Sequence, residues 1–353
     1  MESTSPDSVA ECPACRDVIE RSALYERWLI AENYADGAML EAVGKARGFC
    51  TFHAARLLKR DSDIAGPIAN FALRWTLARL DRQIDDRRGY VDALDPAALC
   101  PWCTTEREAS EYSLLDREYA KGTLCQPHAQ MRALLRKGIA IVRSPLSSGT
   151  PLRAIAIEPR ASQSAWWSDT VTSLAEVLAR SCAACDAACT ARSAREAFLR
   201  SGPKSSEHWE PPRLCILHDV ALGRPRTRPF LLEPDGIDRP CDWCGAIRRA
   251  ADKTAELFAL AYAVDAFREA YSTTAGLCLP HSAIALRRMP APVKRAFALE
   301  TRARVATTVW ELDERAARRS WNLRDQGELA DAGTLSHRAW WLIAGATFRF
   351  PSD

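Results

Sequence analysis

Apolar positions recur along this chain at intervals of three and four. Ile68, Phe71, Trp75 and Ala78 form one such series, and Val305, Val309, Leu312 and Ala316 form another. This spacing lines one face of an α-helix. Strand-like alternation is scarce, with only residues 139–142 and 155–157 offering short apolar stretches that can pair but need not. The pattern predicts an all-α fold.

Helix starts are marked by proline and by the residues that follow it. Pro13 comes directly after Cys12 and Pro101 after Cys100, and proline suits the first helical position because its fixed φ and missing N–H cost nothing there. An amphipathic stretch with Val18, Tyr25, Trp28 and Leu29 follows the first of these. His53 runs into Ala54, Leu57 and Leu58, and His281 into Ile284, Leu286 and Met289, so both histidines stand at helix entries.

Those positions belong to a repeat. Twelve of the thirteen cysteines fall into four copies of Cys-x-x-Cys followed downstream by Cys-x-x-His. Copy one holds Cys12, Cys15, Cys50 and His53; copy two Cys100, Cys103, Cys125 and His128. Copy three holds Cys182, Cys185, Cys215 and His218; copy four Cys241, Cys244, Cys278 and His281. With 6 histidines in 353 residues, finding one at the same offset four times out of four is not chance. An apolar residue precedes each downstream cysteine (Phe49, Leu124, Leu214, Leu277), and Gly48, Gly122 and Gly276 lie just before it in three copies. The intervals from second to third cysteine are 35, 22, 30 and 34 residues, so a ligand module repeats and a strict solenoid period does not. Read in chain order, each copy is a helical hairpin pinned by one ion, giving four modules in two pairs.

The proline- and serine-rich stretch from Ser144 to Gln163 reads as a connector. The predicted organisation is a flexible tail (1–10), modules one and two (11–143), a linker (144–165), modules three and four (166–319) and a Trp-rich C-terminal cap (320–353) with Trp321, Trp340 and Trp341. A second loop-like stretch, residues 201–212, lies inside the third copy.

Composition narrows the chemistry. An apolar share of 47% supports packed cores. The 48 basic and 45 acidic residues leave a net charge of +3, which provides no general drive toward nucleic acid or an anionic membrane. The polar N-terminus shows no secretory signal, and the longest apolar run, residues 257–264, falls far short of the ~20 residues of a spanning helix. These features predict a cytoplasmic protein whose thiols stay reduced, which favours metal or redox chemistry over a disulfide framework.

Three thiolates and one imidazole match a closed tetrahedral zinc site with no position left for water or substrate. The principal alternative is an electron-transfer protein carrying up to four iron–sulfur clusters, although cluster ligation is usually all-cysteine and often shows tight cysteine runs. A dithiol redox centre needs a βαβ setting that the pattern lacks. Cys189 lies one turn after Cys185 and reads as an ordinary thiol or an alternative ligand; His208 and His337 have no partner at ligand spacing. The basic loop 223–229 reads as solvated, and most of the eleven tryptophans as core.

The segments Cys12-Pro13-Ala14-Cys15 and Gly48-Phe49-Cys50-Thr51-Phe52-His53 resemble an uncharacterised family of bacterial helical proteins classed as a domain of unknown function, with looser echoes to about residue 290. The resemblance implies a mostly α-helical Cys/His metal-binding protein and adds no catalytic residue. The third copy departs most from the pattern, with Ala183 for proline and Arg213 for glycine, and the fourth has Asp242 for proline. No phosphate loop, nucleophile triad or supported carboxylate pair stands out. The expectation is a non-catalytic scaffold or adaptor carrying four zinc ions and binding another protein.

Overall fold

The computed structural model describes residues 12–85, 89–95, 98–115, 124, 128–129, 132–133, 136, 165–201, 242–319 and 332–345. Among them every regular element is a helix and no strand occurs, as the apolar periodicity requires. The two short stretches at 139–142 and 155–157 lie outside the described residues.

Thirteen α-helices follow in order: α1 Pro13–Trp28, α2 Gly37–Ala46, α3 Thr51–Arg60, α4 Ser62–Asp85, α5 Tyr90–Leu94, α6 Pro101–Leu115, α7 Ala165–Leu178, α8 Ala183–Ser201, α9 Asp242–Ala261, α10 Asp265–Ser272, α11 Leu279–Arg288, α12 Ala291–Arg318 and α13 Ala332–Ala344. A π-helical turn, Leu29–Asn33, extends α1. Their contacts group into two compact units that interleave along the chain.

The first unit takes in residues 1–28, 102–144 and 188–249. Here α1 and α6 run antiparallel. Asp17 near the start of α1 accepts a hydrogen bond from Ser113 near the end of α6 (2.5 Å), while Ser22, further along α1, accepts one from Trp102 Nε1 (2.8 Å) at the start of α6 and donates to Glu106 (2.6 Å). Tyr25 packs on Trp102 with ring centroids 5.5 Å apart. At the other end, Cys12, Ala14 and Leu114 form a buried cluster, with Cys15 and Leu124 packed on it.

The second unit takes in residues 29–101, 145–187 and 250–353 and centres on α4. At its start, Asp61 Oδ1 accepts from the N–H groups of Asp63 (2.9 Å) and Ile64 (3.0 Å), satisfying two of the otherwise unpaired amides there. Ala65, Ile68, Ala69, Ala72, Leu73, Leu80 and Ile84 are all buried, and α4 packs on α12, α13, α2, α5 and α3. α12 lies antiparallel to it, held by Asn70 and Arg74 on Asp313 at one end and Arg302 on Asp81 at the other. α12 buries Val305, Val309 and Leu312 as its spacing predicts, but the next turn places Arg315, not Ala316, inward. Arg315 donates to Ser336 on α13 (2.9 Å). Phe258, Tyr262, Tyr271 and Phe297 add an aromatic cluster with centroids 4.9–6.0 Å apart. No helix among the described residues is long and apolar enough to cross a membrane.

Candidate metal centres

The five ligand pairs that the described residues hold complete each stand at the start of a helix. Cys50 and Cys278 are the N-cap residues of α3 and α11, with near-identical backbone angles (φ −63°, ψ 162° and φ −66°, ψ 159°). His53 and His281 follow as the third helical residues. Cys12 and Cys182 hold the same place before α1 and α8: their carbonyls accept from Arg16 N (3.1 Å) and Asp186 N (3.0 Å). The sequence produces this because a cap residue turns its side chain toward the same open end of the helix as the third residue's side chain. Two such starts facing each other present four ligands to one point. The positive ends of two helix dipoles then face three thiolates, which lowers the cost of gathering negative charge there.

Three groups of ligand atoms meet in this way, all atoms in a group lying within 4.8 Å of one another: Cys12, Cys15 and His128; Cys50, His53, Cys100 and Cys103; and Cys182, Cys185, Cys278 and His281. The grouping is not the sequential one expected from the copies. Cys12 and Cys15 group with His128 and not with Cys50 and His53, and Cys182 and Cys185 group with Cys278 and His281. In each half the first Cys-x-x-Cys joins the histidine of the last Cys-x-x-His, His128 or His281, with Cys278 also in the latter group, and in the first half Cys50 and His53 join Cys100 and Cys103. Sites are nested, not consecutive.

The antiparallel run of α1 and α6 explains the nesting. α6 has 15 residues, so its two ends stand about 22 Å apart. Its start, with Cys100 and Cys103, is at the far end of α1 from Cys12. Its finish, at Leu114, lies beside Cys12, and the chain next supplies Leu124 and His128 there.

In the first group His128 Nδ1 lies 3.5 Å from Cys12 Sγ and 3.3 Å from Cys15 Sγ. In the second, His53 Nδ1 lies 3.4 Å from Cys50 Sγ and 3.6 Å from Cys100 Sγ, with Cys103 one turn on in the same motif. The third has Cys278 Sγ 3.7 Å from both Cys182 and Cys185 Sγ, and His281 Nδ1 at 3.5, 3.3 and 3.1 Å from the three sulfurs. In each of the three groups the histidine presents Nδ1 to the sulfurs. Cys182, Cys185 and Cys278 are buried. Burial pushes the Cys182 thiol up, but hydrogen bonds from Cys185, Cys278 and His281 outweigh it and hold it well below the usual thiol range. Burial opposes the charge on His281 too, yet Cys182 and Cys185 raise it to about 10. A doubly charged cation displaces those protons and takes over their role.

The backbone before each ligand is held by its own neighbours. Gly48 (φ 95°) and Arg47 (φ 57°) close α2 in the left-handed region, and Arg47 Nη2 donates to Asp92 O (2.9 Å). In the third group Ala275 N donates to Leu178 O (3.0 Å), tying the two approaching segments together. Tyr271 Oη accepts from Leu277 N (3.1 Å), and Arg304 lies over the Tyr271 ring at 4.5 Å while donating to the carbonyls of Tyr271 and Thr274.

Sequence reasoning missed Gly345. This residue has φ 79°, and a Cβ built on it would lie 3.1 Å from the Sγ atoms of both Cys185 and Cys278. Gly345→Ala is expected to lower metal affinity at this centre at least tenfold, since a left-handed alanine alone costs about 1–2 kcal/mol and the methyl presses on two ligands. Titration of the variant with Co2+ checks it, and an unchanged thiolate charge-transfer band at equal free metal would refute it. A glycine closing an apolar helix end was visible in the sequence; its place over the sulfurs was not.

Of the other predicted ligands, Cys125, Cys215, His218 and Cys241, and the side chain of Cys244, lie outside the described residues, as do His208 and the loop 223–229. Cys189, on α8, is not among the grouped ligands, and no described cysteine is in a disulfide. Comparison with known proteins finds no matching family model, no matching curated protein and no matching solved structure.

Proposed function

We propose that this chain is a zinc-stabilised helical scaffold: structural Cys3His centres fix its helix starts, and the folded surface binds another protein without catalysing a reaction. The observation that carries the reading is the spacing of the ligand atoms. A tetrahedral ion with Zn–S of about 2.3 Å and Zn–N of about 2.0–2.1 Å has S···S edges of about 3.8 Å and S···N edges of about 3.6 Å. The distances of 3.7 Å between sulfurs and 3.1–3.6 Å from sulfur to Nδ1 suit one such ion per group.

Cluster ligation supports the alternative less well. A multi-iron cluster distributes its thiolates over separate irons, which spreads them wider than the ligands of a single ion. Within the zinc reading, Cys50, His53, Cys100 and Cys103 hold one ion and Cys182, Cys185, Cys278 and His281 another, and Cys12, Cys15 and His128 contribute to a third. The sequence pattern extends the count to four. When bound, the ion supplies a four-way crosslink between two helix starts. A full protein coordination shell leaves no open position for a substrate, which favours a structural role over hydrolysis.

The adaptor part rests on the outward face of α12, where Trp310 is 64% exposed and Leu299 39% exposed, three turns apart. Tryptophan is among the residues most enriched at the energetic centres of protein interfaces. Elemental analysis with a visible spectrum of protein purified without air tests the metal reading. At least three zinc per chain and no visible absorption is the expected result; iron with matching sulfide and a brown colour would replace it with an electron-transfer protein.

A further inference from the structure

We propose that α13 couples two metal centres, so that loading either one raises the affinity of the other. The inference rests on the metal-binding reading and adds to it an element the ligand motifs do not contain. α13 packs on both α3 and α11, the helices that begin at Cys50 and at Cys278.

Its contacts reach the backbone of both centres. Trp340 is fully buried, donates Nε1–H to Ala65 O (2.9 Å) and stacks on Phe49 at 5.8 Å with planes 16° apart. Phe49 is the residue before Cys50. A Cβ on Gly48 would lie 2.7 Å from Ile343 Cγ2 and 2.8 Å from Trp340 Cζ3, so these two side chains press directly on the segment that presents Cys50. Five residues beyond Trp340, Gly345 lies against the sulfurs of Cys185 and Cys278 at the other centre. Five residues of helix and cap span about 7.5 Å and do not stretch. Ligand segments held by an ion offer α13 one fixed surface, and segments without an ion do not. Each ion therefore favours the docked helix, and the docked helix favours the other ion. The coupling is reciprocal by linkage.

The test uses the full chain in zinc buffers, with brief N-ethylmaleimide labelling and mass spectrometry to read protection of Cys50 and Cys278 separately. Dismantling one centre with Cys278→Ser and His281→Ala is expected to move the Cys50 midpoint about tenfold toward higher free zinc. The reverse pair, Cys50→Ser and His53→Ala, should move the Cys278 midpoint by a similar factor, within the roughly 5–150-fold range typical of coupled sites. In a Trp340→Ala background both shifts should vanish, and Trp340→Phe should restore part of them. A measurement free of substitutions runs alongside: amide exchange of residues 332–344 in the unaltered chain should slow in two steps, one with each centre's protection. Unmoved midpoints, or exchange that follows one centre alone, would overturn the coupling while leaving the metal sites in place. Absence of zinc protection at both cysteines in the unaltered chain would overturn the metal reading and the coupling with it.

Discussion

Replacing Cys15 and His53 together by alanine is expected to remove two equivalents of bound metal, whereas replacing Cys100 and His53 together removes one. The reason is the nesting of the sites. Cys15 lies 3.3 Å from His128, while His53 shares its centre with Cys50, Cys100 and Cys103. Substitutions within one four-ligand centre are redundant, because losing the first ligand already weakens the ion's hold and losing the second finds little left to lose. Substitutions in separate centres act independently. Pairing in chain order predicts the opposite counts, one for Cys15 with His53 and two for Cys100 with His53. Elemental analysis of the gel-filtered double variants distinguishes them. Thermal stability should follow the same rule, with the Cys15/His53 loss close to the sum of the single losses and the Cys100/His53 loss close to the larger single one.

The ligands themselves were legible because their chemistry is local. A Cys-x-x-Cys or Cys-x-x-His at a helix start sets its own geometry, so periodicity and proline placement were enough to locate Cys12, Cys50, Cys100 and Cys278 at helix entries. Which pairs meet was not legible. That depends on α1 and α6 lying antiparallel, a choice made by the contacts of Asp17, Ser22 and Tyr25 with Ser113, Glu106 and Trp102, none of which has a motif. The same limit explains the helix faces. α4 is surrounded by neighbours, so Ala69, Ala72 and Thr76 are buried while Ala78, assigned inward by spacing, is exposed. On α12, Arg315 is drawn inward by Ser336 and Asp63, which a pattern of apolar residues cannot report. Gly345 is the extreme case: its constraint comes from sulfurs 160 and 67 residues away in the chain.

Chelating the metal under reducing conditions is expected to unfold the unit built on α1 and α6 and leave α4 and α12 folded. The two units differ in what holds them. Among the described residues of the first, the buried cluster consists of Cys12, Ala14 and Leu114 with Cys15 and Leu124 packed on it, so two of its five members are ligands. The other described ties between α1 and α6 are the packing of Tyr25 on buried Trp102 and the hydrogen bonds of Asp17 and Ser22, each hydrogen bond contributing about 0.5–1.5 kcal/mol net. A structural zinc site contributes an apparent ~10–16 kcal/mol in small peptides, against ~5–15 kcal/mol for the net stability of a whole domain. Removing it therefore exceeds what the described contacts between α1 and α6 supply. The second unit buries Ile68, Leu73, Leu80, Phe258, Phe297 and Val305 away from the ligands, each contributing about 1.5–3 kcal/mol. It loses the ties at Cys50, His53 and Cys100 as well as those at Cys182 and Cys278, and keeps the core between α4 and α12. Hydrogen exchange with and without a metal chelator reads the difference directly: residues 13–28 and 102–115 should exchange at close to unfolded rates after chelation, while residues 68–84 and 297–312 retain most of their protection. Equal loss across both sets would mean that the units unfold as one and that the ions stabilise the whole chain rather than its smaller part.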